Sequence, residues 1–131
     1  MEFRAKLKYL KMSARKVRRV AELIRGKNVE EAMERLYFVP KTAAHPLLQT
    51  LKSATSNAMN SEDASKIKPE DLFIKEIRVD GGPVMKRIRP APMGRAYRVR
   101  KRTSHIDMKL GVREDRMKKI KKETKKKRSK S

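Results

Sequence analysis

Val84-Met-Lys-Arg-Ile-Arg-Pro-Ala-Pro-Met-Gly-Arg-Ala-Tyr-Arg-Val-Arg-Lys-Arg-Thr-Ser-His-Ile-Asp-Met-Lys-Leu110 reads as a β-ribbon that reverses at Pro90-Ala-Pro-Met-Gly94. Prolines cannot sit in a paired central strand, and Gly94 can supply the positive φ that a reversal needs. From Ala96 onward Tyr97, Val99, Lys101 and Thr103 alternate with Arg98, Arg100, Arg102 and Ser104, so one face carries a ladder of arginines. Ile106, Met108 and Leu110 then fall on the arginine parity. The face that is wet in the arm thus becomes the buried face in the body, as in one long strand whose far half leaves the domain. At about 3.3 Å per residue, arms of eight to ten residues project on the order of 30 Å. Nine Lys or Arg stand here against a single acid, Asp107. Such a finger repels itself and calls for a surrounding polyanion, for which the phosphates of a folded or duplex RNA are the natural source.

Upstream, Phe3, Ala5, Leu7 and Tyr9 alternate with Glu2, Arg4, Lys6 and Lys8, which predicts a first strand with one buried face. Ser13 stands at a helix N-cap position, Val17, Val20, Ala21 and Ile24 follow at helical spacing, and Gly26 is the stop. Arg15, Lys16, Arg18, Arg19 and Arg25 occupy the rest of that helix against one acid, Glu22, which favours an RNA-facing surface over a merely solubilising one. Asn28 with Glu31 suggests a capping box, Ala32, Met33, Leu36 and Tyr37 an apolar side, and Pro40 the end of a second helix. Thr42 opens a third helix carrying Leu47, Leu48, Leu51, Ala54 and Ala58, with Pro46 in its first turn. Leu72 to Val79 reads as the second strand, with Phe73, Ile77 and Val79 on one face and Lys75 as the exception. Gly81-Gly82-Pro83 reads as a kink or bulge through which that strand continues into the arm.

The whole chain has 131 residues, a net charge of +22 and 40% charged residues, a composition of one small domain with a modest core and a polyanionic partner. Its calculated isoelectric point is about 10.7. Only residues 61–83 are net acidic, through Glu62, Asp63, Glu70, Asp71, Glu76 and Asp80, which are expected in a solvated loop and strand start. Residues 111–131 carry 11 basic and 3 acidic groups, and with only Met117 and Ile120 hinting at an amphipathic helix this tail is expected to be disordered in the free protein. There is no cysteine, no signal-like apolar segment after Met1 and no membrane-length apolar run, so a soluble, cytoplasmic protein is expected.

Catalytic chemistry finds no support in the residues. His45, near a helix start, and His105, on a strand, are expected to pack or touch RNA and not to act as bases. Gly81-Gly82 lacks the Lys and helix of a phosphate loop, and neither a metal site, a cofactor nor a small-molecule substrate is expected. The helix-Gly-helix unit is a weak helix-turn-helix signal. The main alternative to an RNA-embedded protein is an architectural DNA-binding protein that inserts a Pro-tipped β-arm into the minor groove. One arm with an added basic helix and tail suits embedding better than straddling a duplex.

Four segments carry a resemblance: Ser13-Ala-Arg-Lys-Val-Arg-Arg-Val-Ala-Glu-Leu-Ile-Arg-Gly-Lys27, Val79-Asp-Gly-Gly-Pro83, Met85-Lys-Arg-Ile-Arg-Pro90, and Gly94-Arg-Ala-Tyr-Arg-Val-Arg-Lys-Arg-Thr-Ser-His-Ile106. With them the chain resembles the large-subunit ribosomal protein twenty-two family over residues 1–110. The resemblance implies an α+β fold: three helices packed on a small three-stranded antiparallel sheet with a long protruding β-hairpin; the basic C-terminal tail, residues 111–131, lies outside the matching region and inherits nothing from it. It implies a single domain over residues 1–110, with body 1–83 and 104–110 and arm 84–103, seated on large-subunit ribosomal RNA beside neighbouring ribosomal proteins. It further implies that the arm lines the peptide exit tunnel, near the nascent chain. On that basis Arg15, Lys16, Arg18, Arg19, Lys86, Arg87, Arg89, Arg95, Arg98, Arg100, Lys101 and Arg102 are expected to neutralise phosphates. Thr103, Ser104 and His105 are expected to add hydrogen bonds, and Pro90, Ala91, Pro92, Met93 and Gly94 to form the tunnel tip. The chain departs from the family pattern at Ala14, where proline is common, and at Ala91 and Met93, where basic residues are frequent.

Overall fold

The computed structural model describes residues 2–61 and 67–130. Strand β1 (Glu2–Leu10) is followed by helices α1 (Ala14–Ala21), α2 (Val29–Phe38) and α3 (Ala44–Met59), then by strands β2 (Leu72–Pro90) and β3 (Ala96–Val112) and helix α4 (Glu114–Lys130). The sheet is antiparallel in the order β1-β3-β2, so β3 is the central strand of the body. The fold is α+β as expected, with four α-helices among the described residues instead of three.

β3 pairs with β1 only as far as Ser104 but with β2 all the way to Ala96, opposite Pro90. What remains beyond the body is therefore a two-stranded arm. The parity switch is present: Ser104, Ile106, Met108 and Leu110 are buried, whereas Arg98, Arg100 and Arg102 are exposed. At the tip Met93 and Gly94 both adopt left-handed φ, 63° and 67°, and the Ala91 amide donates to the Arg95 carbonyl. Gly94 was the expected left-handed residue; Met93 beside it carries the strain that a non-glycine bears there.

The strands carry three irregularities, of which two correct the sequence reading. In β2 the register shifts between Ile74 and Glu76, which makes Lys75 the extra residue of a bulge. The buried set is consequently Leu72 and Ile74 before the bulge and Ile77 and Val79 after it, with Phe73 only half-buried. In β1 a shift between Leu7 and Leu10 puts Tyr9 at φ 58° and turns it out to 64% exposure, although strict alternation assigns it to the core. The third shift, between Gly81 and Val84, is the expected bulge at the arm's root.

Helices α1 and α3 cover one sheet face, and their buried stripes (Val17, Val20 and Ala21; Leu47, Leu51, Ala54 and Ala58) form the core with the strands. Ile24 completes the α1 side from the turn that ends at Gly26, φ 73°. Neither Ser13 nor Asn28 makes a side-chain cap bond. The expected Asn28–Glu31 box is absent because Glu31 pairs instead with Lys27 at 3.6 Å and Arg35 at 3.0 Å. Tyr37, assigned to the apolar side of α2, is exposed and holds Lys52, whose Nζ lies 3.1 Å from its hydroxyl.

α4 begins one residue after β3. Its first turns dock on the body: the Arg113 amide donates to the Asp71 carbonyl at 3.0 Å, Arg116 Nε lies 3.2 Å from Asp71 Oδ2, and Ile120 is buried. Of the acidic interval, Glu62 and Asp63 lie outside the described residues, while Glu76 pairs with Lys109 at 3.0 Å.

Candidate nucleic-acid interface

The free edge of β2 fixes where the cations of α1 point. An edge strand leaves carbonyls unpaired, and those of Val79 and Ile77 are taken by arginines from α1 and the turn after it. Arg18 donates Nε and Nη2 to Val79 O at 3.0 and 2.8 Å, and Arg25 donates Nη1 to Ile77 O at 3.0 Å. These two side chains brace helix to sheet, so Arg18 combines a structural bond with its expected phosphate role. Arg15, Lys16 and Arg19 keep their heads exposed on the same helix.

Braced in this way, α1 faces the root of the arm across a groove of about 1050 Å³. Lys16 and Arg19 line it from the helix, Arg100, Lys101 and Arg102 from β3. Val20, Leu23, Val39, Pro40 and Met85 supply an apolar floor. Lys11 and Lys41 complete the cationic rim. Sequence reasoning missed these two because they lie in loops, where charge has no periodic context to place it. A second cleft of about 400 Å³ brings Arg15, Arg18 and Arg102 around Gly81 and Gly82. Five expected RNA-binding cations from segments some 80 residues apart therefore meet in one groove. Among the described residues no acid lines either cleft.

Further out, Lys86, Arg87, Arg89, Arg95 and Arg98 are all exposed along the arm, Arg87 donating to the neighbouring Lys86 carbonyl. The tip is apolar and open to its surroundings: Met93 is 94% exposed and Ile88 75%. Pro90, Pro92 and Gly94 shape the turn, and Ala91 is half-buried within it.

Thr103, Ser104 and His105 behave differently from the cations. Thr103 is buried and donates its hydroxyl to the Pro83 carbonyl at 2.6 Å, holding the bulge closed. Ser104 has no exposed surface, because it is the first core residue on the arginine parity; the expectation that it bonds RNA is corrected accordingly. His105 lies on the opposite sheet face, where its Nδ1 accepts the Tyr9 amide at 3.0 Å and its ring meets Tyr9 edge-on at 4.9 Å.

That opposite face is electrically unlike the arm. Arg4 forks onto Asp107, Lys75 pairs with Glu2, and Lys109 with Glu76. The Arg4 hydrogen bond holds the Asp107 carboxyl below its ordinary range, and the Lys109 and Lys75 bonds do the same for Glu76 and Glu2. Cations paired with acids in this way have little left to offer a polyanion. Among the described residues no His, Cys, Asp and Glu cluster could hold a metal ion, and no helix is long and apolar enough to cross a membrane.

A family profile described as Ribosomal protein L22p/L17e matches residues 5–111. The chain is 52% identical over 109 residues to a protein of Rubrobacter xylanophilus named Large ribosomal subunit protein uL22, covering 83% of this chain and 84% of that one. It is 52% identical over 106 residues to a protein of the same name from Maridesulfovibrio salexigens, covering 81% and 94%. A third of that name, from Christiangramia forsetii, is 45% identical over 108 residues, covering 82% and 80%.

Proposed function

The chain belongs to the ribosomal protein L22p/L17e family and is a structural, non-catalytic constituent of the large ribosomal subunit, and from that premise we propose how it works there. It binds large-subunit ribosomal RNA through the arm, the groove at the arm's root and α1, aids the folding of that RNA during assembly, and extends the arm along the wall of the peptide exit tunnel. One observation carries the reading: residues 84–103 hold eight Lys or Arg and no acid, and they run without interruption into a groove rimmed by the cations of α1.

Arg15, Lys16 and Arg19, with Lys86, Arg87, Arg89, Arg95, Arg98, Arg100, Lys101 and Arg102, neutralise phosphates, and Arg18 does so from its brace. Contacts of this kind position a protein on RNA by backbone and shape, without base reading. Thr103 acts indirectly, by closing the bulge that sets the arm's direction, and His105 offers its ring to whatever covers the opposite face, RNA or a neighbouring ribosomal protein. The tip, with Met93 exposed and no cation from Pro90 to Gly94, is suited to lining a wall beside the nascent chain more than to gripping phosphate. Residues 1–110 act as one domain, in ribosomes of the cytoplasm.

Cosedimentation with large subunits tests the assignment, and a photo-crosslinker at a Met93→Cys variant tests the tunnel placement. Crosslinks to stalled nascent chains are expected. Recovery of the protein on chromosomal DNA, or crosslinks only to solvent-side RNA, would overturn it.

A further inference from the structure

α4 lies beyond the family match, which ends at residue 111, and its two halves relate to the body in opposite ways. The first half is docked through Asp71, Ile120 and the partly buried Met117. The second half, residues 121–130, is exposed throughout, and seven of its ten residues are Lys or Arg against one acid, Glu123. Like charges repeat at helical spacing in Lys118–Lys122, Lys121–Lys125 and Lys122–Lys126, and each such pair destabilises a helix by a few tenths of a kcal/mol. No apolar side chain after Ile120 offsets them. The helix dipole helps, with Glu114 and Asp115 in the first turn and Lys127, Arg128 and Lys130 in the last, but that effect is screened in solution.

We propose that this half of α4 is a second RNA anchor, which holds a segment of RNA separate from the one held by the arm. The inference rests on the RNA-binding reading above and adds a partner site to it. Separation follows from the topology. α4 starts where Val112 pairs with Leu72, and the tip lies where Ala96 pairs with Pro90, sixteen residues away along β3. That is on the order of 50 Å of strand, many times the screening length of about 8 Å at physiological salt. Each cationic end therefore needs its own counter-charge. RNA is favoured over an acidic protein because Lys121, Lys122, Lys125, Lys126, Lys127, Arg128 and Lys130 encircle the helix and do not form one face. Protein interfaces, moreover, are built on a desolvated apolar or aromatic centre, which residues 121–130 lack.

The test compares three full-length proteins binding large-subunit ribosomal RNA across a salt series: the parent, a tail variant with Lys121, Lys122, Lys125, Lys126, Lys127 and Lys130 changed to Gln, and an arm variant with Arg98, Arg100 and Arg102 changed to Gln. Gln keeps helix propensity, and the docking residues through Ile120 stay intact. At about 0.9 per phosphate lost, the log-log salt slope of the tail variant is expected to become shallower by roughly three to five units, and the two variants' changes to add. Directed cleavage from probes on Lys126→Cys and Arg98→Cys is expected to map to different nucleotides. An unchanged slope for the tail variant beside a weakened arm variant overturns the second anchor and leaves the functional reading standing. Cleavage of one common RNA segment from both probes, or crosslinking of residue 126 to a ribosomal protein only, also overturns it. Failure of the parent to bind this RNA overturns the functional reading and the anchor with it.

Discussion

At the residue scale the arm's root turns on a few atoms. A Cβ added at Gly82 would sit 2.5 Å from Thr103 Oγ1 and 3.1 Å from His105 Nε2, whereas one at Gly81 would meet nothing within 4 Å. Thr103 cannot easily give way, because its hydroxyl is held by the Pro83 carbonyl. Gly82→Ala is thus expected to lower stability by about 1–3 kcal/mol, in the range of overpacked sites. Gly81→Ala should change it far less, and paired denaturant titrations of the two variants check this. The Arg4–Asp107 pair supplies a pH signature. Asp107 is held below its ordinary pKa of 3.8, so the pair contributes stability above that value and loses it as the pH falls through the lowered one. Asp107→Asn is expected to be less stable by up to about 1 kcal/mol at neutral pH, the scale of an exposed ion pair, and to lose less than the parent on acidification below pH 3.8. Equal slopes of melting temperature against pH in that window would remove Asp107 from the explanation.

At the scale of elements, most of the architecture was legible because it rests on period-two and helical patterns that survive packing: the parity switch at Ser104, the bulge at Gly81-Gly82-Pro83, and the stripes of α1 and α3. The errors fell where one residue resets the period. Lys75 bulges out and transfers burial from Phe73 to Ile74, and the shift after Leu7 expels Tyr9. Neither shift is visible in a pattern of apolar letters, since both are set by the pairing partner. Met117 and Ile120 alone hint at α4 in the sequence, because its docking depends on Asp71, a residue over 40 positions earlier. Of the candidate site, the cations were legible by charge, but the braces of Arg18 and Arg25 were not, because they answer to carbonyls of a strand edge. Among the described residues the arm's cations pair with no acid, and α4 after Ile120 has none of the core's support. Hydrogen exchange on the isolated protein is expected to be fast over residues 85–100 and 121–130 and slow over Val17–Ile24, Leu47–Ala58 and Ile106–Leu110. Uniform protection along the arm would show that it is rigid without RNA.

At the scale of the whole molecule, the proposed function gives anchoring and tunnel lining to different parts: cations at the arm's root, on α1 and on α4 would hold the RNA, while the tip would shape a passage. Removing residues 88–97 shortens both arm strands together and leaves the bulge and the groove in place. Large subunits carrying that deletion are expected to retain the protein through purification and to respond differently to stalling nascent chains. Loss of the protein from those subunits would show that the tip also anchors. The bulge, finally, gives the arm a mechanical character. A pull along its axis is carried by the backbones of both strands together, and β3 passes its share into the β1–β3 ladder of the body, where several hydrogen bonds take it in shear. A sideways push meets far less resistance, because it bends the ribbon at the one place near its root where the ladder is interrupted. The arm is therefore stiff in tension and compliant in flexion, so it can be steered into place by RNA folding around it and still resist being drawn out along its length.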